Sequence, residues 1–345
     1  MASNSSECKP TKRKNPLQLR LDTSQIWKIP ENDLAAHQSI SRSPECLPTS
    51  RFPNFRLSPS SGPSLDLEEE MRRKSQKHQL KLIKRGNMRQ AIKLIYKYRA
   101  RSISELYDKC ESDEYAQLIY NSADYNKCLL SALELFVKDS LELQRRNRWE
   151  YLLSFANYNL EEELELLNIF RTQNINPIEF AECVKSVLLC EYPKVNTLKL
   201  YGTPNSCKSL IANLLTCNFI TCYANNHGSE NEFFLSNFLN KSMILCEELY
   251  VTQATCEDFK SILGGAKIDI AKKFYEKQIL SRTPIIVTSN FSKYGRGHLS
   301  HVDEQALAAR SFSFEFSRAY APKCHISAPS MAHFLYNCIN YDLLN

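Results

Sequence analysis

Lys208 follows Gly202 by six residues, and Ser209 comes next. Before them lies the short apolar run Thr197-Leu-Lys-Leu-Tyr201, and a helical pattern opens at Leu210. Strand, loop and helix in that order make a phosphate cradle, because backbone N–H groups and the helix N-terminus attract the anion. A lysine at position 208 reaches β- and γ-phosphates, and the Ser209 hydroxyl holds Mg²⁺. The expected nucleotide-binding set is Gly202, Thr203, Pro204, Asn205, Ser206, Cys207, Lys208 and Ser209, with ATP and Mg²⁺ as ligands. Cys207 departs from the pattern, which has glycine before the lysine. A Cβ there costs energy wherever the backbone needs a conformation only glycine reaches easily. Alone, the stretch also fits a strand–turn–helix with a chance Lys-Ser.

Two further polar tips follow apolar runs. Met243-Ile-Leu-Cys reads as a buried strand ending in Glu247-Glu248. A nucleotide hydrolase needs one carboxylate near Mg²⁺ and a second to orient water. Glu247 is expected on the metal, through water, and Glu248 on the attacking water. Thr283-Pro-Ile-Ile-Val-Thr-Ser289 is a third apolar run, with Asn290 at its tip. An asparagine there can bond the γ-phosphate or the attacking water; a simple turn residue is the plainer reading.

These residues need a scaffold, and the chain has material for one. Its 345 residues allow two domains or one large domain with an extension, and 43% are hydrophobic. The net charge of +6 permits a polyanionic partner. Thirteen cysteines are scattered without C-x-x-C pairs, which suggests reduced thiols in an intracellular protein. No apolar run is long enough to span a membrane. Residues 1–64 read as a disordered polar tail. It holds the basic cluster Lys9-Pro-Thr-Lys-Arg-Lys14, a nuclear import signal or a solvated charge run. Residues 65–165 read as helical and basic, with 12 Lys/Arg and no Asp/Glu between Met71 and Arg101. Gly86-Asn87 is expected to divide that stretch into two helices, either a nucleic-acid contact or a solvated face. Ser102-Ile-Ser-Glu105 has the form of a capping box, and Asn176-Pro-Ile-Glu179 that of a helix start. Residues 166–345 alternate strand and helix, with further strands at Phe219–Tyr223 and Phe312–Phe316. The expected fold class is α/β, with a mostly parallel sheet covered on both faces.

The three strand ends, in this order, resemble the helicases of superfamily 3 encoded by small DNA viruses. Asn176-Pro177, Asn196-Thr197-Leu198, Glu247-Glu248, Ser261-Ile-Leu-Gly-Gly265 with Lys267, and Thr283–Asn290 sharpen the resemblance. They are similar to the replication initiator, the large non-structural protein, of parvoviruses and densoviruses. The similarity covers about residues 165 to 320. Papillomavirus and polyomavirus initiators are similar too, but their second motif usually ends in Asp-Asp.

The resemblance implies an AAA+ P-loop ATPase domain in a homo-oligomeric ring, commonly a hexamer, moving 3′ to 5′ along single-stranded DNA. It implies a DNA-gripping hairpin at Ala266–Lys277, so Lys267, Lys272 and Lys273 are the expected DNA contacts. Tyr275 stands where the family has a second lysine, and Ala271 where it has an acidic residue. Arg310 falls at the position of an arginine finger that reaches a neighbour's ATP, with Arg318 as the fallback.

Related initiators also carry a nuclease domain with a His-hydrophobic-His metal motif. No His-x-His occurs here, and His298-Leu-Ser-His301 has the wrong spacing for metal. No nicking is therefore expected from this chain; a separate nuclease or origin-binding protein is an expected partner, and a membrane is not. The family's long C-terminal region is missing too, as in a split product, a spliced form or an endogenous viral copy. The reading is an ATP-dependent DNA helicase of viral replication, working in the host nucleus. Its rival is a catalytically weak or inactive relic or accessory protein that binds nucleotide or DNA. A host P-loop ATPase does not account for Gly264-Gly265 and Thr-Ser-Asn at these spacings.

Overall fold

The computed structural model describes residues 67–81, 86–120, 124–224, 234–272 and 275–341. The expected tail 1–64, its basic cluster and Lys273 lie outside the described residues.

Among the described residues eight helices come first: α1 (Leu67–Lys81), α2 (Gly86–Tyr98), α3 (Ile103–Lys109), α4 (Ser112–Tyr120), α5 (Tyr125–Arg146), α6 (Arg148–Leu153), α7 (Leu160–Gln173) and α8 (Pro177–Leu189). Helix α2 begins at Gly86, so that glycine opens a helix where the sequence reading has a break. Its apolar stripe Ile92, Leu94, Ile95 packs with Leu129, Leu133 and Phe136 of α5 into one core. The Ser102 half of the capping box forms, and the return bond from Glu105 lands one residue ahead of the cap. Ser102 Oγ accepts from Glu105 N at 3.0 Å, while Glu105 reaches back to the Arg101 N–H at 2.7 Å. Asn176 caps α8 by accepting from Ile178 N, with Pro177 at the first turn.

Four of the eight Lys/Arg residues of α1 and α2 pair with acids, as does Arg99 just beyond α2. Glu69 takes Arg72 and Arg73, Glu68 takes Arg99, Glu142 takes Lys74, and Glu114 takes Lys97. Such exposed pairs contribute little each.

The second part is a sheet of β1 (Thr197–Gly202), β2 (Thr221–Ala224), β3 (Met243–Glu247), β6 (Ile285–Ser289) and β7 (Ser311–Phe316). The order is β2-β3-β6-β1-β7, and every pairing is parallel. Strands buried on both faces read as unbroken apolar runs, which is why β3 and β6 stand out in the sequence. Helices α9 (Lys208–Thr216), α10 (Cys256–Leu263), α11 (His301–Ala308) and α12 (Ala328–Tyr341) complete the two covering layers. One face packs Leu198 and Leu200 against α8, α9 and α12; the other packs Ile244, Cys246 and Val287 against α10 and α11. A separate antiparallel hairpin joins β4 (Ile268–Lys272) to β5 (Tyr275–Leu280).

Two local expectations change. Strand β2 starts at Thr221, because Phe219 sits in a turn whose carbonyl is taken by Arg101. The hairpin strands extend to Leu280, beyond Lys277.

The helical and sheet layers meet through cations on carbonyls. Arg101 donates to Cys217, Asn218 and Phe219 oxygens at 2.8 to 2.9 Å, at the C-terminal end of α9. Arg145 and Arg148 donate to the Lys241 and Ser242 oxygens ahead of β3. Among the described residues no helix is long and apolar enough to cross a membrane, and every described cysteine is a free thiol.

Candidate active site

All five parallel strands point their C-terminal ends to one edge, which is where open α/β sheets bind ligands. At that edge β1 runs out through Gly202, whose φ is +134°. A Cβ there would sit 2.2 Å from the Phe316 oxygen, so only glycine lets β1 turn out beside β7. Thr203 N then donates to Phe316 O at 2.9 Å.

The loop that follows is wound tightly. Ser206 Oγ donates to Thr203 O at 2.7 Å. Cys207 adopts φ 71°, ψ 9°, the left-handed conformation that glycine occupies readily. It is tied to the chain beyond β7: its thiol donates to Tyr320 O at 3.2 Å, and Tyr320 N donates to Asn205 O at 2.8 Å. Burial pushes the Cys207 thiol up, with the Glu165 carboxylate adding to it, so this thiol is a poor nucleophile.

Helix α9 begins at Lys208, and Cys207 supplies no side-chain cap. Its first-turn N–H groups therefore have neither intrahelical partners nor a cap. Lys208 is 6% exposed, and its ammonium donates to the Thr203 carbonyl at 2.5 Å and to Gly202 O and Ser206 Oγ at 3.2 Å. Burial pushes that ammonium down, while the Glu248 carboxylate pulls it back up. The field of Glu248 is thus felt at Lys208. Thr203, Pro204, Asn205 and Ser209 are exposed. A buried cation, an uncapped helix start and an exposed hydroxyl beside it fit a magnesium–triphosphate.

Glu247 is the last residue of β3 and lies opposite Thr288 of β6; Tyr201 of β1 lies opposite Ser289. One strand therefore separates the carboxylate strand from the phosphate loop. Glu248 leaves the strand at φ 51° and is exposed. Its carboxylate accepts from Asn290 N at 3.3 Å. Lys208, Glu247, Glu248 and Asn290 thus share one edge of the sheet.

Arg310 sits at the other edge. It directly precedes β7, where Ser311 lies opposite Thr197, the first residue of β1. Its side chain lies along Gly264 and donates to the Ala306 oxygen. A strand of six residues is about 20 Å long, so Arg310 cannot reach the phosphate loop of its own chain. Arg318, beyond the other end of β7, is held by its backbone to the Gln173 amide and is exposed on the loop's side of the sheet.

Lys267 is exposed just ahead of β4, and Lys272 ends β4 at a bulge. Arg282, behind the hairpin, donates to the oxygens of Cys190, Tyr192 and Val195 and to Asn196 Oδ1. It fastens the hairpin base to the entrance of β1. Nothing in local spacing marks Arg282, since its partners lie about 90 residues earlier.

The topology and the loop define an α/β P-loop domain of the AAA+ type. The family model of the parvovirus non-structural protein NS1 matches residues 111–340, and the chain belongs to that family. The initiator protein NS1 of primate bocaparvovirus 1 is 26% identical over 189 residues, 53% of this chain and 24% of that protein. Protein Rep52 of adeno-associated virus 2 is 32% identical over 133 residues, 37% of this chain and 33% of that protein. The chain spans about a quarter of the length of the bocavirus relatives it matches. A crystal structure of JCV helicase with a bound small molecule aligns with TM-score 0.47 at 14% identity, over 67% of this chain and 77% of that one.

Proposed function

We propose that this chain is an ATP-driven DNA helicase motor of viral replication. The observation that carries the reading is the gathering of Lys208, Glu247, Glu248 and Asn290 at the strand ends around an uncapped helix start. Residues Gly202 to Ser209 hold the phosphates, with Lys208 on the β- and γ-phosphates. Ser209 and Glu247, the latter through water, hold Mg²⁺. When bound, the metal offsets charge developing on the transferred phosphoryl group. Glu248 orients the attacking water and takes its proton, and Asn290 holds the γ-phosphate or that water. Arg310 serves a neighbouring subunit, in a ring that we take to be a hexamer. Lys267, Lys272 and Lys273 grip single-stranded DNA as point charges, with movement 3′ to 5′. Residues 65–165 support ring assembly ahead of the motor at 166–345. The name of the NS1 relative, an initiator protein, supports a role in replication; the host nucleus as its place and a separate nuclease as its partner belong to the same proposal.

The test is ATP hydrolysis by the purified chain, with and without single-stranded DNA, beside Lys208→Ala. Hydrolysis stimulated by DNA and reduced at least about a hundredfold in the variant is the expected result. Equal turnover in the two proteins would sink the proposal. A second reading, a nucleotide- or DNA-binding relative without turnover, is motivated by the non-glycine Cys207. An inactive wild type made active by Cys207→Gly would favour it.

A further inference from the structure

β1 carries a charge where a central parallel strand ordinarily carries an aliphatic side chain. Leu198 and Leu200 face α8, α9 and α12. Lys199 alternates to the opposite face, and it is 2% exposed. In register it lies opposite the small residue Ser313 of β7. Its Nζ donates to the Ser292 carbonyl at 2.5 Å and stands 3.8 Å from the Tyr294 ring centre. Burial pushes this ammonium down to about 8, and Glu304 pulls it back up.

Glu304, on α11, holds the same loop from its other side. Its carboxylate accepts from Tyr294 N at 2.9 Å and Gly295 N at 2.7 Å. A cation thus takes a carbonyl and an anion takes two amides within four consecutive residues. The loop so held runs from Asn290, and it reaches the carboxylate segment as well. Arg296 donates to Glu248 O at 3.0 Å and stacks on Phe291 and Tyr250 at 4.7 and 5.0 Å. Tyr294 O accepts from Val251 N at 3.0 Å. An aliphatic residue at position 199 would fill the same space without desolvating a charge. The loop is what the charge has to work on.

We propose that Lys199 and Glu304 clamp the loop Phe291–Gly297 between them and so position Asn290 and Glu248 over the phosphate loop. Lys199 is then a positioning residue. The inference rests on the hydrolytic reading of the site, and it is tested by a measurement that does not need turnover.

Amide hydrogen exchange along Phe291–Gly297 is compared in wild type and Lys199→Met, with melting temperature, nucleotide Kd and kcat. Loop exchange should rise about tenfold or more, since a hydrogen bond from a charged donor is lost. The melting temperature should hold or rise. Nucleotide Kd should stay within about twofold while kcat falls about tenfold or more. Glu304→Gln should raise exchange at the same amides, which keeps the test open if Lys199→Met does not fold. Unchanged loop exchange overturns the clamp, whatever turnover does. A lowered melting temperature with exchange raised across the whole sheet overturns it too, because the lysine is then only structural. A wild type that hydrolyses no ATP ends the proposed function, and the exchange result still decides the clamp.

Discussion

Cys207 holds a left-handed backbone, φ 71°, at the position where the phosphate loop turns into α9. For a side chain with a Cβ that conformation costs about 1–2 kcal/mol, while glycine costs about 0.5–1 kcal/mol in chain entropy. Cys207→Gly should therefore stabilise the fold by roughly 0.5–1 kcal/mol by denaturant titration, the balance of those two costs. The weak thiol bond to Tyr320 O is lost in the exchange, and ATP hydrolysis should be kept or raised. A destabilised variant would mean that the thiol contact outweighs the strain. Local spacing makes Gly202, Lys208, Ser209, Glu247, Glu248 and Asn290 legible in the sequence, since each ends or follows an apolar run. Lys199, Glu304 and Arg282 are not legible in that way. Each acts on a partner met only through the fold, as Lys199 meets Ser292. A lysine inside an apolar run gives no sign of which face it takes or what waits there.

At the scale of the element, β1 shows how a strand joins two surfaces of different character. One face is aliphatic, and the other carries Thr197, Lys199 and Tyr201. Glu304, Tyr201 and Tyr294 are the titratable groups around the ammonium. Its folded value near 8 lies below the ordinary 10.5, so between those values the unfolded chain holds the extra proton. Stability should consequently rise with pH across that window, by as much as about 3 kcal/mol from this group. Urea denaturation from pH 7.5 to 10.5 should show that rise in wild type relative to Lys199→Met; parallel curves would contradict it. The strands were readable because burial on both faces leaves continuous apolar runs. The β4–β5 hairpin was expected only through resemblance, for its polar alternation is too short to separate from a loop. Helix α12 has no clear apolar period in the sequence, although it contributes Phe334 and Leu335 to the main core. Its buried polar pair, His333 Nδ1 to Glu163 at 2.6 Å, breaks the apolar stripe and is matched only across the fold.

At the scale of the molecule, the sheet separates two parts of the proposed site. Lys208 and the carboxylates lie at its C-terminal edge and Arg310 at its N-terminal edge. Arg310→Ala should bind nucleotide normally and lose about a thousandfold or more in turnover if it supplies the finger. Mixing it with Lys208→Ala should restore part of the activity, because each variant contributes what the other lacks. No recovery on mixing, with single-variant turnover unchanged, would remove Arg310 from the mechanism. The change of period along the chain is what leads the sequence to be read as a helical part followed by a strand-bearing part. The bonds between them were not, because arginines on backbone carbonyls have no sequence signature. One of those bonds has a mechanical meaning. Helix α9 starts at the phosphate loop and ends on the three carbonyls that Arg101 holds. Nine residues of α-helix make a stiff rod of about 13 Å. On the proposed function, such a rod links the phosphate loop to the helical layer. If displacement passes along it, the reciprocity of linked equilibria has whatever grips that layer from outside alter the hold on nucleotide in turn.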